Sequence, residues 1–291
     1  MPPVWLLILL LLVGCSSSGT AEPRSWRMGF SAFPPRNDFN AAVQSLETWT
    51  KRADAAIFHI SIPWAGLLAG KTPQQLLEAD QMGIVNNYRQ KQLPITVTLD
   101  LTDGLNRAQE APQLIAARRS LSEPEIQTLY RRYAVAVAQM IRPVYMGLAA
   151  ETNLIRIAAS PQLYSAVVAS ASAAAQDVEK LGLGIKLYVS LQVETAWGRL
   201  QGTNVYVGAE QDFTDFSFVS AVGLSSYPYL GRFDTPEAIP IEYFSRLLAG
   251  RNLPALVVEG GLAIGLRFWV HFFARSASPL LSPTGPTDQS S

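Results

Sequence analysis

Short β-rich apolar runs alternate with longer helical patterns along most of this 291-residue chain, and that alternation limits most strongly how it can fold. A strand that returns through a helix to a neighbouring strand makes a parallel sheet with helical crossovers. Strands are expected near Met28–Phe33, Ala55–Ile60, Ile95–Asp100, Tyr145–Ala149, Lys186–Gln192, Ala221–Ser225 and Ala255–Glu259. The helix starts between them are well marked. Thr72-Pro73 and Ser160-Pro161 each set a capping hydroxyl before a proline at the first helical position. Ser122-Glu123-Pro124-Glu125 reads as a capping box with Ser122 as the cap. The helix after it, to about Arg142, puts Ile126, Leu129, Tyr133 and Val137 on one face.

Two architectures satisfy such a pattern. An open doubly wound sheet usually shows a glycine-rich phosphate turn after an early strand, and this chain has none. A (β/α)₈ TIM barrel takes about 250 residues and gathers its reactive groups at the carboxyl ends of its strands. Asp100, Glu151, Glu194, Tyr227 and Glu259 all fall at or just past an expected strand end, so an α/β (β/α)₈ barrel over residues 26–275 is the expected fold. Its eighth unit is atypical. After Glu259 there remain a Gly-Gly pair, the apolar Leu262–Phe273 and a tail rich in Ser, Pro and Thr, less than a helix, a strand and a closing helix require. Either Phe268–Phe273 stands in as a strand or the barrel is incomplete. A truncated or frameshifted terminus is the expectation, with residues 276–291 a disordered tail.

The opening residues carry an address. An apolar run from Val4 to Val13 is too short to span a bilayer and closes on Leu12-Val13-Gly14-Cys15, which resembles the bacterial lipobox. Residues 1–15 therefore read as a lipoprotein signal ending at a lipidated Cys15, and residues 16–25 as a flexible tether. At about 3.5 Å per extended residue the tether reaches roughly 30 Å. The expected place is the cell envelope, exported and held on a membrane through the lipid. Cys15 is the only cysteine, so no disulfide can staple the domain and packing alone must stabilise it. The net charge is zero and the basic residues are scattered, which argues against nucleic acid as a partner. Two histidines and one cysteine make a zinc hydrolase an unsuitable reading, and no metal or other cofactor is expected.

Two carboxylates stand out by position. Glu151 follows the fourth strand in Gly147-Leu148-Ala149-Ala150-Glu151-Thr152-Asn153, and Glu259 ends the seventh after Leu256-Val257-Val258. Strands four and seven face each other across a barrel mouth, and a retaining glycosidase needs an acid and a nucleophilic carboxylate about 5–5.5 Å apart. A carboxylate directly after so apolar a run is costly without a purpose. Weaker candidates for holding a sugar are Trp64 and Trp197, whose faces could stack on it, and Glu194 and Asp100, which could take its hydroxyls. His59, inside the second strand, reads as a hydrogen-bonding residue of the core or mouth.

Met28-Gly29-Phe30-Ser31-Ala32-Phe33-Pro34, Glu151-Thr152-Asn153, Ser226-Tyr227-Pro228 and Val258-Glu259-Gly260-Gly261 together resemble the endo-β-1,4-galactanase family and its lipoprotein relatives, within the barrel clan of retaining glycoside hydrolases. The resemblance runs from about Trp26 to Gly261. It implies Glu151 as general acid/base, Glu259 as nucleophile, Tyr227 as a hydrogen-bond donor to the nucleophile, and a carbohydrate as substrate. The clan's Asn before the acid/base, which binds the sugar 2-hydroxyl, is replaced by Ala150; Asn153 is the nearest amide. Two functions follow as expectations: hydrolysis of β-glycosidic bonds, or noncatalytic carbohydrate binding on a degenerate barrel.

Overall fold

The computed structural model describes residues 25–30, 38–231, 233, 235–260 and the strands at 262–264, 267–269 and 271–275. Cys15 with its export signal, nearly all of the tether and the 276–291 tail lie outside the described residues, as do Ser31 to Pro34 of the first motif.

Every expected strand has a counterpart. They are β1 (Trp26–Phe30), β2 (Ala56–Ser61), β3 (Ile95–Asp100), β4 (Tyr145–Gly147), a fifth in two pieces, β5 (Lys186–Tyr188) and β6 (Ser190–Gln192), then β7 (Val222–Ser226) and β8 (Ala255–Gly260). One parallel sheet runs β2-β3-β4-β5 and another holds β6-β7-β8 in parallel. Val189 lies at their junction, where Ser190 N donates to Ala149 O and Gly223 N donates to Val189 O, both at 3.0 Å. β3 is buried along its whole length, as a parallel strand covered on both faces should be.

The C-terminal part departs from the expected barrel. Three further strands follow, β9 (Leu262–Ile264), β10 (Arg267–Trp269) and β11 (His271–Arg275). β9 and β10 form an antiparallel pair, and β11 lies between β8 and β1, antiparallel to both. A parallel entry needs a crossover of a dozen or more residues. Among the described residues no helix lies between β8 and β11, and the substitute strand enters from the opposite end. At the other side of β1, Asp54 N donates to Met28 O at 2.7 Å and Met28 N donates to Asp54 Oδ2 at 3.1 Å. Among the described residues no ladder joins β1 to β2, so the sheets form an α/β wall of the barrel type without a complete ring.

Inside that wall Tyr188 is fully buried, its hydroxyl 2.6 Å from Thr98 Oγ1 and donating to Val97 O at 3.2 Å. Gly147 and Gly223 make room for its ring: a Cβ would meet Tyr188 Cε2 at 2.6 Å from the first and 2.7 Å from the second. Outside, the helices Pro124–Ile141 and Pro161–Glu179 pack together, and small residues of both, such as Ala134, Ala138, Ala171 and Ala175, are fully buried. Thr72 and Ser160 cap their helices as expected. Ser122 does not. The cap is Glu123, held extended because the residue before a proline is excluded from helical backbone, and its carboxylate accepts from Ser120 N and Arg119 Nε instead.

Candidate functional site

Glu151 sits where β4 gives way to the helix Thr152–Ala158, with left-handed backbone angles of φ 50° and ψ 47°. Such a conformation strains a residue with a Cβ and persists only when its surroundings impose it. They do so here through Glu151 N, which donates to Ser190 Oγ at 2.9 Å, and through Asp212, which accepts from Thr152 Oγ1 at 2.8 Å and Arg156 Nη2 at 2.9 Å. The side chain is thereby turned inward. Its Oε2 accepts from Arg107 Nε at 2.9 Å, and Arg107 Nη1 contacts both oxygens of Asp100 at 2.7 Å. Burial works against the guanidinium charge, but Asp100 and Glu151 more than offset it and keep Arg107 protonated.

Glu259 is placed by an irregularity in the β7–β8 ladder. Leu224 pairs with Val257, yet the next residue, Ser225, pairs with Glu259, so Val258 is left out of register. A bulge of this kind re-aims side chains. It sets Ser225 opposite Glu259 and frees Val258 O, which lies 3.3 Å from His59 Nε2. His59 Nδ1 lies 2.9 Å from Glu259 Oε1. Both ring nitrogens thus face groups that only accept, the pattern of an imidazolium. Burial opposes that charge, while the hydrogen bond and charge of Glu259, then Val258 O and the charge of Asp100, raise the imidazole above its ordinary value. Burial likewise opposes ionisation of Glu259, but His59, the charge of Arg107 and the Ser225 hydroxyl hold its carboxyl down at about 2. Tyr227 donates its hydroxyl to Glu259 Oε2 at 3.2 Å; burial, then the charges of Glu259 and Glu151, push that hydroxyl well above its usual range. With 29% and 22% of their side chains exposed, His59 and Glu259 look out on the mouth.

Ser225 joins the two carboxylates. Its Oγ lies 2.7 Å from Glu151 Oε1 and 3.1 Å from Glu259 Oε2. Those two oxygens therefore cannot lie further apart than the two bonds laid end to end, about 5.8 Å. That is short of the roughly 6.5–9.5 Å that leaves room for an attacking water and close to the ~5–5.5 Å of a direct nucleophile.

The structure brings Glu151, Glu259, Tyr227 and Asp100 into this cluster and leaves four other sequence candidates outside it. Trp64 is in the core, 1% exposed, because it opens the short helix Trp64–Leu68, which buries Trp64 and Leu67 and packs against the helix Pro112–Ala116. Asn153 is buried with both ends of its amide on the main chain of Gln192, accepting from its N at 2.8 Å and donating to its O at 2.9 Å. Glu194 has no exposed surface. It accepts from Gln192 Nε2, Tyr227 N, Ser226 Oγ and Tyr243 OH, and burial raises its carboxyl despite these donors. Trp197 stacks on Tyr243, meets Tyr206 edge-on and spends its indole N–H on Tyr243 O at 2.9 Å. All four are held by protein contacts.

Sequence reasoning missed Arg107 and Ser225 and left His59 without a partner. Asp100 at a strand end demanded a counter-charge, which was the available signal for Arg107 seven residues later. The chain is brought back by an Asx turn, in which Asp103 Oδ1 accepts from Leu105 N and Asn106 N.

No protein-family model matches the chain, and no curated protein matches it. Solved structures do. The family 1 β-glucosidase from Thermotoga maritima aligns at 14% identity with a TM-score of 0.50, over 80% of this chain and 73% of that one. The Thermotoga maritima β-glucosidase in complex with glucoimidazole aligns at 12% identity and TM-score 0.50, over 74% and 64%. A GH53 catalytic domain from Ignisphaera aggregans aligns at 15% identity and TM-score 0.46, over 64% of this chain and 51% of that domain, so the chain spans about half its length. At these identities the likeness is one of architecture: an α/β fold with parallel sheets, shared with TIM-barrel glycoside hydrolases.

Proposed function

We propose that this protein hydrolyses β-glycosidic bonds of an oligo- or polysaccharide with retention of configuration, Glu259 acting as nucleophile and Glu151 as acid and then base. The observation that carries the reading is the placement of both carboxylates on one hydroxyl, with their nearest bridged oxygens within about 5.8 Å at the carboxyl ends of β4 and β8. Glu259, held ionised, attacks the anomeric carbon while Glu151 gives its proton to the departing oxygen; water then frees the sugar with Glu151 as base. Tyr227 and His59 hold Glu259 on one line of attack. An endo-β-galactanase-like specificity is the finer expectation, and it rests on the sequence motifs alone.

A second reading, a carbohydrate-binding protein without turnover, is favoured by one feature. Ala150 offers no amide to the sugar, and Asn153 spends its own on Gln192, so no side-chain amide from this turn is free for the 2-hydroxyl. Incubating the purified protein with aryl β-glycosides and β-glycans separates the two. Turnover that Glu259→Ala abolishes and azide partly restores supports the enzyme; binding without turnover in the parent supports the second reading.

The anchoring reading also remains a proposal. Mass spectrometry of the mature protein should find an acylated Cys15 as its first residue, and Cys15→Ser should release the protein from the membrane. An unmodified start at residue 16 or later contradicts it.

A further inference from the structure

Ser225 has one proton and two carboxylates to serve. Its Oγ is within hydrogen-bonding distance of Glu151 Oε1, at 2.7 Å, and of Glu259 Oε2, at 3.1 Å. If both carboxylates were ionised, the hydroxyl could donate to one and would turn a lone pair on the other at hydrogen-bonding distance, an arrangement that repels. The charges around it point the same way. Among the described residues three carboxyl groups, Asp100, Glu151 and Glu259, face two cations, Arg107 and the His59 imidazolium, with the Tyr227 hydroxyl neutral beside them. One further proton makes this set neutral, and an unbalanced charge is costly where Asp100, Arg107 and Glu151 are buried. The shorter of the two Ser225 contacts is the one to Glu151, at the usual length of an O–H···O bond.

We propose that Ser225 is the centre of a one-proton bridge that keeps Glu151 and Glu259 in opposite charge states. In the free protein a proton on Glu151 Oε1 is donated to Ser225 Oγ, and the Ser225 proton is donated to Glu259 Oε2. The bridge rests on the two-carboxylate reading for its use. As the glycosidic bond breaks, its electron pair stays on the departing oxygen, which takes the Glu151 proton, while Glu259 forms the new bond to carbon. The negative charge has then moved from Glu259 to Glu151. Ser225 follows it by rotating about Cβ–Oγ to donate to Glu151, and its own proton is never transferred. It is a positioning residue, since it acts on the two carboxylates and not on the sugar.

Infrared difference spectra of the purified protein test the bridge without requiring turnover. At neutral pH the parent should show a protonated-carboxyl stretch that Glu151→Gln removes, and the parent-minus-variant difference cancels every other carboxyl. Ser225→Ala should move the Glu151 band to higher wavenumber, because the acid loses its acceptor, and Glu259→Gln should abolish it, because the group is then neutral without the extra proton. No Glu151-dependent band, or a band that Ser225→Ala leaves in place, overturns the proposal. Should Ser225→Ala fail to fold, a Glu151 band that survives Glu259→Gln unchanged overturns it equally. A protein that shows these shifts but hydrolyses nothing retains the bridge and loses the glycosidase reading; one that hydrolyses without the band loses the bridge alone.

Discussion

His59 and Glu259 form an ion pair across the mouth, Nδ1 to Oε1 at 2.9 Å, between β2 of one sheet and β8 of the other. The pair ties β2 to β8 where, among the described residues, no backbone ladder links β1 to β2. It therefore couples the stability of the fold to the state of the site.

That coupling has a defined pH window. Glu259 lies at about 2 in the folded protein against 4.5 ordinarily, so its contribution is fully present above 4.5 and is lost as pH falls through about 2. His59 is raised above 6.5, so its contribution is fully present below 6.5 and is lost as pH rises through its folded value. The pair's contribution to the thermal midpoint, read as the difference between the parent and His59→Gln, should be largest between pH 4.5 and 6.5. His59→Gln should flatten the decline on the alkaline side. Parallel declines of parent and variant above pH 6.5 would remove His59 from the account.

Glu194 should matter to folding through the number of donors it serves. Glu194→Ala strands four buried donors and should cost about 3 kcal/mol or more in urea unfolding. Glu194→Gln should cost only ~1 kcal/mol, because the Ser226 and Tyr243 hydroxyls can turn to accept from the new amide. Equal losses would show that the carboxylate's charge, not its hydrogen bonds, is what the site requires.

Tyr188 and its flanking glycines should behave as one unit. Gly147→Ala and Gly223→Ala each push a methyl to within 2.6–2.7 Å of the Tyr188 ring and should cost about 1–3 kcal/mol apiece. Tyr188→Leu should relieve much of either penalty, giving a large coupling in a double-mutant cycle. Additive losses would mean that the ring is not what fills this part of the interior.

The strands and most helix starts were legible because each is written locally, in apolar runs such as Ile95–Leu99 and in the caps of Thr72 and Ser160. The two carboxylates were legible for the same reason, since each closes such a run. What was not legible depends on pairing. Ser225 meets Glu259 only because the β7–β8 ladder slips by one residue, and no pattern within either strand announces a slip. Arg107 reaches Glu151 because a turn doubles the chain back over β3. Trp64 and Glu194 stand at strand ends in the sequence, yet local packing draws both into the interior, away from the mouth. The antiparallel entry of β11 was open for a related reason: an apolar run does not state its direction.

The stereochemistry of the first product tests the central claim most directly. Proton NMR of an aryl β-glycoside during its first turnovers should show the β-anomer of the sugar appearing first, with the α-anomer rising later by mutarotation. An α-anomer formed first, or sugar that binds and is never cleaved, would contradict a nucleophilic Glu259 working beside Glu151.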